Sequence, residues 1–215
     1  EMVGTKINAY LNEVPMLTRT DSSCAAGSVG VGSQGAAFEV DDVRVTEPAP
    51  DGGPWFAGFE DSARPWTTTG PGTIAVVTTD KTEGARSLAV SGCGYTPITS
   101  PLFATTEFPA IGTKLAYDIK LPTAQSNPYW LGQAQLFVTI PGAVIYNQPL
   151  GNVELTTLGA VGVWKAAEFD LPSNVRQAFL GSYSNCQLAI TVNTNSCLAP
   201  ILVDNLRFTG TLTHR

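Results

Sequence analysis

The 215-residue sequence contains a single histidine, His214, which is the penultimate residue. Chain ends fray by default, so this imidazole is poorly placed for chemistry. A Ser-His-Asp or Cys-His arrangement needs a positioned imidazole, and histidine-based zinc or iron sites need at least two. Of the common reaction types, a pair of carboxylates, as in glycoside hydrolysis, is the one that stays open.

Charge and long apolar runs are also scarce. Only 14% of the residues are charged, with 12 Lys and Arg against 18 Asp and Glu, and the cations are scattered singly. A nucleic-acid surface needs a clustered basic field, so no nucleic-acid partner is expected. No apolar run approaches the roughly 20 residues of a membrane-crossing helix. The 43% hydrophobic content with 21 Gly and 15 Pro instead predicts a turn-rich packed fold.

The four cysteines form no C-x-x-C pair that would indicate a metal or redox motif. Their even number in a chain of low charge favours an oxidising compartment, and hence a secreted or cell-surface protein; four buried thiols in an intracellular protein are the alternative. Pairing of Cys186 with Cys197 is disfavoured unless the following loop folds back, because an extended strand over 187–192 places Cys186 about 20 Å from the turn that contains Cys197, whereas a disulfide needs Cα atoms within about 7 Å. Cys93 with Cys197 is the preferred pair, and Cys24 and Cys186 either bond to each other or stay free.

The first four residues have neither a basic head nor an apolar stretch, so no signal peptide is recognised, and we expect a processed or excised piece of a longer protein. Apolar residues alternate almost throughout. In residues 1–46, Ile7, Ala9 and Leu11 predict one strand, which a turn at residues 12–13 joins to residues 14–18, and a second and a third strand are predicted over 27–32 and 37–45. These strands are too few to close a sandwich by themselves. Residues 47–55 hold three prolines and two glycines and are interpreted as a linker.

Residues 56–215 have about ten segments of strand character separated by turns, which predicts an all-β fold, a jelly-roll β-sandwich, preceded by a partial second β-sandwich. One short helix is predicted over 173–181. The predicted strands are 56–60, 74–78, 87–91, 96–103, 114–121, 134–140, 153–155, 164–169, 187–192 and 201–208. Residues 40–45 (VDDVRV) and 203–208 (VDNLRF) share one pattern, so we infer that each closes its own sandwich.

Two resemblances follow from these motifs. Residues 7–12, 20–21 and 27–31, together with the VDDVRV motif, resemble the last third of laminin-G-like (concanavalin A-like) jelly rolls of bacterial secreted proteins. Residues 59–61 and 83–90, with the VDNLRF motif, resemble bacterial galactose-binding-like and carbohydrate-binding-module-like sandwiches over 56–209. The second resemblance implies a module appended to a polysaccharide-active protein. It also implies a structural calcium held by Glu60 and Asp204, whose oxygens are the hard ligands that calcium prefers; the alternative is that these acids merely solvate strand ends.

Exposed aromatic rings beside amides are the features that bind sugars. The polar loop over 125–130 is the best candidate. The predicted ligand-binding residues are Asn127, Tyr129, Trp130, Gln133, Tyr95 and Tyr146, with Tyr183 as a weaker candidate. Tyr129 and Trp130 could equally fill the end of the sandwich core, and Trp164 is predicted to do so.

The sequence thus predicts a non-catalytic carbohydrate-binding module of a secreted bacterial polysaccharide-active or surface protein, with a polysaccharide or glycan as its partner. The alternative is a structural or adhesive subunit of an extracellular assembly. Its incomplete first block, residues 1–46, would be completed by strands from a neighbouring chain. A glycosidase is the least favoured option, because no two acidic residues lie in an evident aromatic cleft motif.

Overall fold

The structure is a computed structural model that describes residues 2–3, 6–11, 14–20, 56, 58–61, 63–194 and 198–214. In the first block, β1 (Met2–Val3), β2 (Lys6–Leu11) and β3 (Val14–Thr20) form one antiparallel sheet in that order. The strand predicted from Ile7 is therefore confirmed, and the residues that follow the predicted turn at 12–13 form a strand of their own, β3. Those predicted over 27–32 and 37–45 lie outside the described residues. The linker, the domain boundaries and the laminin-G resemblance stay predictions.

From residue 67 onward the chain forms two five-stranded antiparallel sheets that face each other, which confirms the predicted β-sandwich. Sheet 1 contains, from edge to edge, β11 (Ile145–Glu154), β10 (Gln133–Ile140), β13 (Gln187–Thr194), β7 (Gly94–Thr99) and β4 (Thr67–Thr68). Sheet 2 contains, in the same way, β12 (Lys165–Asp170), β9 (Lys114–Lys120), β14 (Ile201–Thr209), β6 (Ser87–Ser91) and β5 (Thr73–Val77). A short ladder pairs β8 (Ala110–Ile111) with β15 (Thr213–His214).

The core lies between the two sheets because apolar residues alternate along the central strands. Every second residue of β10, from Ala134 to Ile140, is buried, and the residues between them are half-buried. From sheet 2, Tyr117 is completely buried and stacks on Phe169 with 5.5 Å between ring centroids. Burial strongly raises the pKa of the Tyr117 phenol. Each large side chain buried in this way contributes about 1.5–3 kcal/mol to stability.

A helix closes one end of the sandwich. The helix predicted over 173–181 is confirmed as α2 (Ser173–Leu180), and a shorter helix, α1 (Leu155–Leu158), follows β11. Helix α2 buries Phe179, whose ring lies 5.8 Å from that of Phe108 and 5.2 Å from that of Phe208. It ends where the Gly181 N–H bonds to the carbonyls of Gln177 and Ala178. Among the described residues, no helix has the length and apolarity needed to cross a membrane.

Several predicted strand bounds are wrong. The described residues over 56–60 are not a strand, because Phe59 has a φ of +56° and the Glu60 side chain accepts backbone N–H groups. The strand predicted over 153–155 is the last part of the ten-residue β11, which a bulge, Pro149 and Gly151 make irregular. The strand predicted over 96–103 begins at Gly94 and ends at Thr99.

Trp164 does not fill the core, contrary to the prediction. It is half-buried, and its indole N–H donates a 2.8 Å hydrogen bond to Asp80 Oδ1. Lys120 Nζ lies 2.6 Å from the other oxygen of the same carboxylate. The hydrogen bonds from Lys120 and Trp164 hold the pKa of Asp80 below its usual range. A polar indole N–H needs a partner, and here Asp80 supplies it at the surface of sheet 2.

Candidate functional site

The outward surface of sheet 1 carries a set of side-chain amides. Gln133 and Gln135 alternate along β10 with buried Ala134 and Leu136. Because side chains alternate along a strand, the two glutamines project away from the core. The register places Gln133 opposite Asn193 on one side, and Gln135 opposite Asn152 on the other. We call the surface formed by Gln133, Gln135, Asn152, Gln187 and Asn193 the amide face.

A tyrosine spans this face. Tyr95, which is 49% exposed, lies opposite Asn193 in the register of β7 and β13. Its hydroxyl donates a 2.9 Å hydrogen bond to Gln135 Oε1, two strands away. Between them, Thr191 is opposite both Gln135 and Pro97 and is only 2% exposed. The Tyr95 ring is thereby fixed as an apolar surface beside polar groups.

A carboxylate organises one end of the face. Glu154 lies opposite Gln133 in the ladder of β10 and β11. Its Oε1 accepts hydrogen bonds from Gln133 Nε2 at 2.5 Å and from Asn152 Nδ2 at 3.3 Å. Two amides therefore share one acceptor oxygen.

The other end of the face contains a cavity of about 200 Å³. Phe137 contributes an apolar wall, and Asn147 has its N–H bonded to Thr139 Oγ1 at 2.9 Å. Asn147 has a φ of +45°, a conformation that asparagine tolerates better than most residues. The cavity is lined by Pro97, Thr99, Phe137, Thr139, Asn147, Gln187, Leu188 and Ala189. It combines an aromatic ring with amide and hydroxyl groups, so it can contact both apolar and polar parts of a small ligand.

The structure brings two of the sequence-predicted ligand residues together and leaves others apart. Tyr95 and Gln133 lie on either side of Asn193 in the same row. Tyr146 lies at the far end of β10 from Gln133. It follows Ile145, which pairs with Ile140, and Ile140 is seven residues, or about 23 Å, along β10 from Gln133. None of these placements tests whether the residues bind a ligand, so their roles stay predictions.

The loop containing Asn127, Tyr129 and Trp130 connects β9 to β10. Tyr129 is 91% exposed, Trp130 is half-buried, and Asn127 Oδ1 accepts a 3.0 Å hydrogen bond from the Tyr129 N–H. Tyr129 therefore does not fill the core. Its role in binding stays a prediction.

Sequence reasoning missed Phe137, Asn152, Glu154 and Asn193 as site residues. The signal for Phe137 was present, because it continues the outward alternation of Gln133 and Gln135 along one strand. Asn193 and Asn152 join the site only through the cross-strand register.

A second polar cluster holds the loop before β6 against the closing strand β14. Buried Asp204 accepts hydrogen bonds through Oδ2 from the N–H groups of Thr82 at 2.6 Å and Glu83 at 3.0 Å. Buried Glu60 accepts through Oε1 from the N–H groups of Ala85 at 2.7 Å and Arg86 at 2.8 Å. Glu60 and Asp204 therefore do more than solvate strand ends. They lie near the start and the end of the sandwich sequence, and both accept hydrogen bonds from the loop over 82–86.

A third acid, Glu83, lies close to these two. Burial, followed by the negative charges of Asp204 and Glu60, raises the pKa of the Glu83 carboxyl. Its Oε2 is buried without a hydrogen-bond partner. A Cβ built on Gly58 would lie 2.5 Å from this oxygen and 3.0 Å from Glu60 Oε1, so glycine leaves space between the acids. An orphaned oxygen and a glycine-lined space fit a small cation, although within the described ranges no three ligating side chains already converge on one point.

Cys186 is a free, buried thiol. The disfavoured Cys186–Cys197 pair is therefore absent, and of the two alternatives for Cys186 the structure has the free one. Cys24 and Cys197 lie outside the described residues, so the Cys93–Cys197 disulfide stays a prediction. The register is compatible with it, since Gly94 pairs with Thr194, three residues before Cys197.

No family model and no curated protein matches the sequence. Solved structures with a similar fold include a carbohydrate-binding module from the β-sandwich superfamily, at 20% identity and a TM-score of 0.44, over 66% of this chain and 55% of that chain. The chain thus spans about half the length of that structure. A second is the CBM22-2 xylan-binding domain from Paenibacillus barcinonensis Xyn10C, at 15% identity and a TM-score of 0.45, over 74% and 98%. A third is the K2 cleaved adhesin domain of Lys-gingipain, at 16% identity and a TM-score of 0.45, over 72% and 97%.

Proposed function

We propose that the sandwich binds a carbohydrate chain on the amide face and does not cleave it. The observation that carries this proposal is the array of amides on one sheet surface, flanked by Tyr95 and by the cavity beside Phe137. Sugar hydroxyls both donate and accept hydrogen bonds, as amides do, and sugar C–H faces pack on aromatic rings.

A binding role fits the chemistry of the face better than catalysis does. Glycoside hydrolysis uses two carboxyl groups about 5–10 Å apart across the scissile bond. Among the described strands of sheet 1, Glu154 is the single carboxylate, and it already accepts two amide N–H groups. We therefore propose a non-catalytic module of a secreted or cell-surface protein.

Affinity electrophoresis tests this function. The full chain is run in native gels containing xylan, mixed-linkage β-glucan, galactomannan or amylose, with a non-binding protein as the mobility standard. Retardation in at least one gel, without release of reducing sugar from that polymer, supports the proposal. Unchanged mobility in all gels, or release of reducing sugar, contradicts it.

We also propose that Glu60 and Asp204, joined by Glu83, hold a structural calcium ion. When bound, the ion would supply positive charge that offsets the repulsion among three acids. The orphaned Glu83 oxygen supports this proposal. The ion would tie the loop before β6 to β14 and take no part in sugar recognition, because these strands belong to sheet 2.

The second candidate function is a structural or adhesive subunit whose first block is completed by another chain. The observation that favours it is that the sheet formed by β1, β2 and β3 has, within the described residues 2–20, three strands of which one is only two residues long. Such a sheet needs a partner surface for stability. Light scattering tests this: a concentration-dependent multimer that dissociates when residues 1–46 are removed supports it, and a monomer at all concentrations contradicts it.

A further inference from the structure

The hydrogen bonds of Glu154 determine which way two amides of the face are turned. A carboxylate oxygen can only accept, so Gln133 and Asn152 must both turn their NH2 groups toward Glu154 Oε1. The carbonyl oxygens of both amides are then left as acceptors for a ligand. The side-chain orientation is dictated by Glu154, because an amide alone can occupy either of two flipped states.

Gln135 is turned the opposite way. Its Oε1 accepts the Tyr95 hydroxyl at 2.9 Å, so its NH2 group is left to donate. Gln135 lies opposite Asn152 and two residues along β10 from Gln133. The face therefore offers a donor next to two acceptors, an arrangement that suits neighbouring hydroxyls on an uncharged sugar.

The charges of the face work against an anionic ligand. Glu154 borders the amide face, and it is the single charged residue in the described strands of sheet 1. No strand of sheet 1 contains a Lys or Arg, whereas Lys114, Lys120, Lys165 and Arg207 belong to strands of sheet 2. An anionic polymer would meet a like charge with no cation to compensate it, and such juxtapositions oppose binding.

We infer that Glu154 is a positioning and specificity residue, which orders the amide face for uncharged glycans and excludes polyanionic ones. This inference rests on the proposed glycan-binding function. The Glu154 carboxylate has two roles in selecting this ligand class. It orients the side-chain amides of Gln133 and Asn152, and it repels anionic polymers.

Matched polymers test the selectivity. Each neutral polysaccharide of the electrophoresis panel is compared with its own carboxymethylated derivative, so that the backbone is shared and only the charge differs. At least tenfold weaker retardation by the derivative of the bound polymer is expected. Equal or stronger binding of the derivative overturns the inference and leaves glycan binding intact. Absence of binding to every neutral and charged polymer overturns both.

The variant Glu154→Gln tests the positioning role, because the new amide can donate as well as accept and no longer dictates the two orientations. The expected result is about a 5- to 10-fold loss of affinity for the neutral polymer, equivalent to about 1–1.4 kcal/mol, together with a smaller preference over the carboxymethylated form. Glu168→Gln is the matched control, since it makes the same charge change on sheet 2, where Glu168 pairs with Lys114 at 3.0 Å.

If Glu154 has a purely structural role, Glu154→Gln should have a lower melting temperature with unchanged selectivity, and that result overturns the inference. Wild-type affinity and selectivity in Glu154→Gln also overturn it. If Glu154→Gln does not fold, Gln133→Ala and Asn152→Ala replace it. Each removes one oriented acceptor, and each is expected to weaken binding of the neutral polymer several-fold. Wild-type binding by both variants overturns the inference.

Discussion

The Tyr95 hydroxyl donates a hydrogen bond to the side-chain oxygen of Gln135, 40 residues further along the chain. The bond crosses β13, which lies between β7 and β10 in sheet 1. It fixes an aromatic ring over the outward surface of the sheet and leaves the Gln135 NH2 group to face a ligand. An aromatic ring and an oriented amide are thus held in one unit.

Tyr95→Phe and Tyr95→Ala separate the two contributions of this residue. Phenylalanine keeps the ring but loses the hydrogen bond to Gln135, so affinity for the bound glycan should fall about 2- to 5-fold. Alanine also loses the ring, and the loss should exceed about tenfold. Calorimetric titration measures both. Equal affinities for wild type and Tyr95→Ala would show that Tyr95 does not contact the ligand.

Phe137→Ala and Tyr129→Ala distinguish the sheet surface from the loop predicted from sequence. Phe137 forms a wall of the cavity, whereas Tyr129 is 91% exposed on the loop between β9 and β10. If the ligand lies on the amide face, Phe137→Ala should weaken binding about tenfold and Tyr129→Ala should leave it unchanged. The same titration decides between them, with melting temperatures as the control for folding. The reverse pattern would assign binding to the loop.

Calcium should stabilise the fold through Glu83. Saturating calcium at about 100 times its dissociation constant contributes about 2.7 kcal/mol, which raises the melting temperature of a domain of this size by roughly 5–10 °C. Differential scanning calorimetry with calcium and with a chelator measures this. Glu83→Gln should abolish the response, because it removes one of three clustered charges, whereas Glu168→Gln should retain it. A wild-type melting temperature that is the same in calcium and chelator would refute the calcium site.

Asp80 should make part of the stability depend on acid pH. Its pKa is lowered on folding by the hydrogen bonds from Lys120 and Trp164. A carboxyl group of this kind stabilises the fold above its ordinary pKa of 3.8, and the contribution is lost as the pH falls through the lowered value. Because the side chain is 36% exposed, solvent screening limits the effect to about 1 kcal/mol or less.

Asp80→Asn should therefore lose less stability than wild type between about pH 7 and about pH 3 in urea unfolding experiments. Asp170→Asn is the control, since that side chain is 88% exposed and 3.8 Å from Lys114. Identical pH profiles for wild type and Asp80→Asn would contradict the assigned role.

The sequence correctly predicted the strands and helices whose hydrophobic periodicity is regular along their whole length. Strict alternation along β10 and the spacing of Val175 and Phe179 on α2 were enough to predict a strand and a helix. β11 was missed for most of its length because its bulge, Pro149 and Gly151 interrupt the alternation. Residues 56–60 were predicted as a strand, but the buried Glu60 carboxylate accepts hydrogen bonds from backbone N–H groups of a loop 25 residues away, which no local pattern reveals.

The candidate site was predicted only in part for the same reason. Tyr95 and Gln133 were recognised by residue type, yet Asn193, which lies between them, joins the face through pairing of strands distant in sequence. Glu154 was not recognised because its role depends on two side chains that share one oxygen. Residue type predicts chemistry, whereas cross-strand register determines which groups act together.

The most direct measurement is a map of amide chemical shifts in isotopically labelled protein titrated with an oligosaccharide of the polymer that binds. The proposed site predicts shifts concentrated on the outward residues of β10, β13 and β7, including the side-chain amides of Gln133, Gln135 and Asn193. Shifts confined to residues 125–130, or to sheet 2, would contradict the assignment of the amide face as the binding surface.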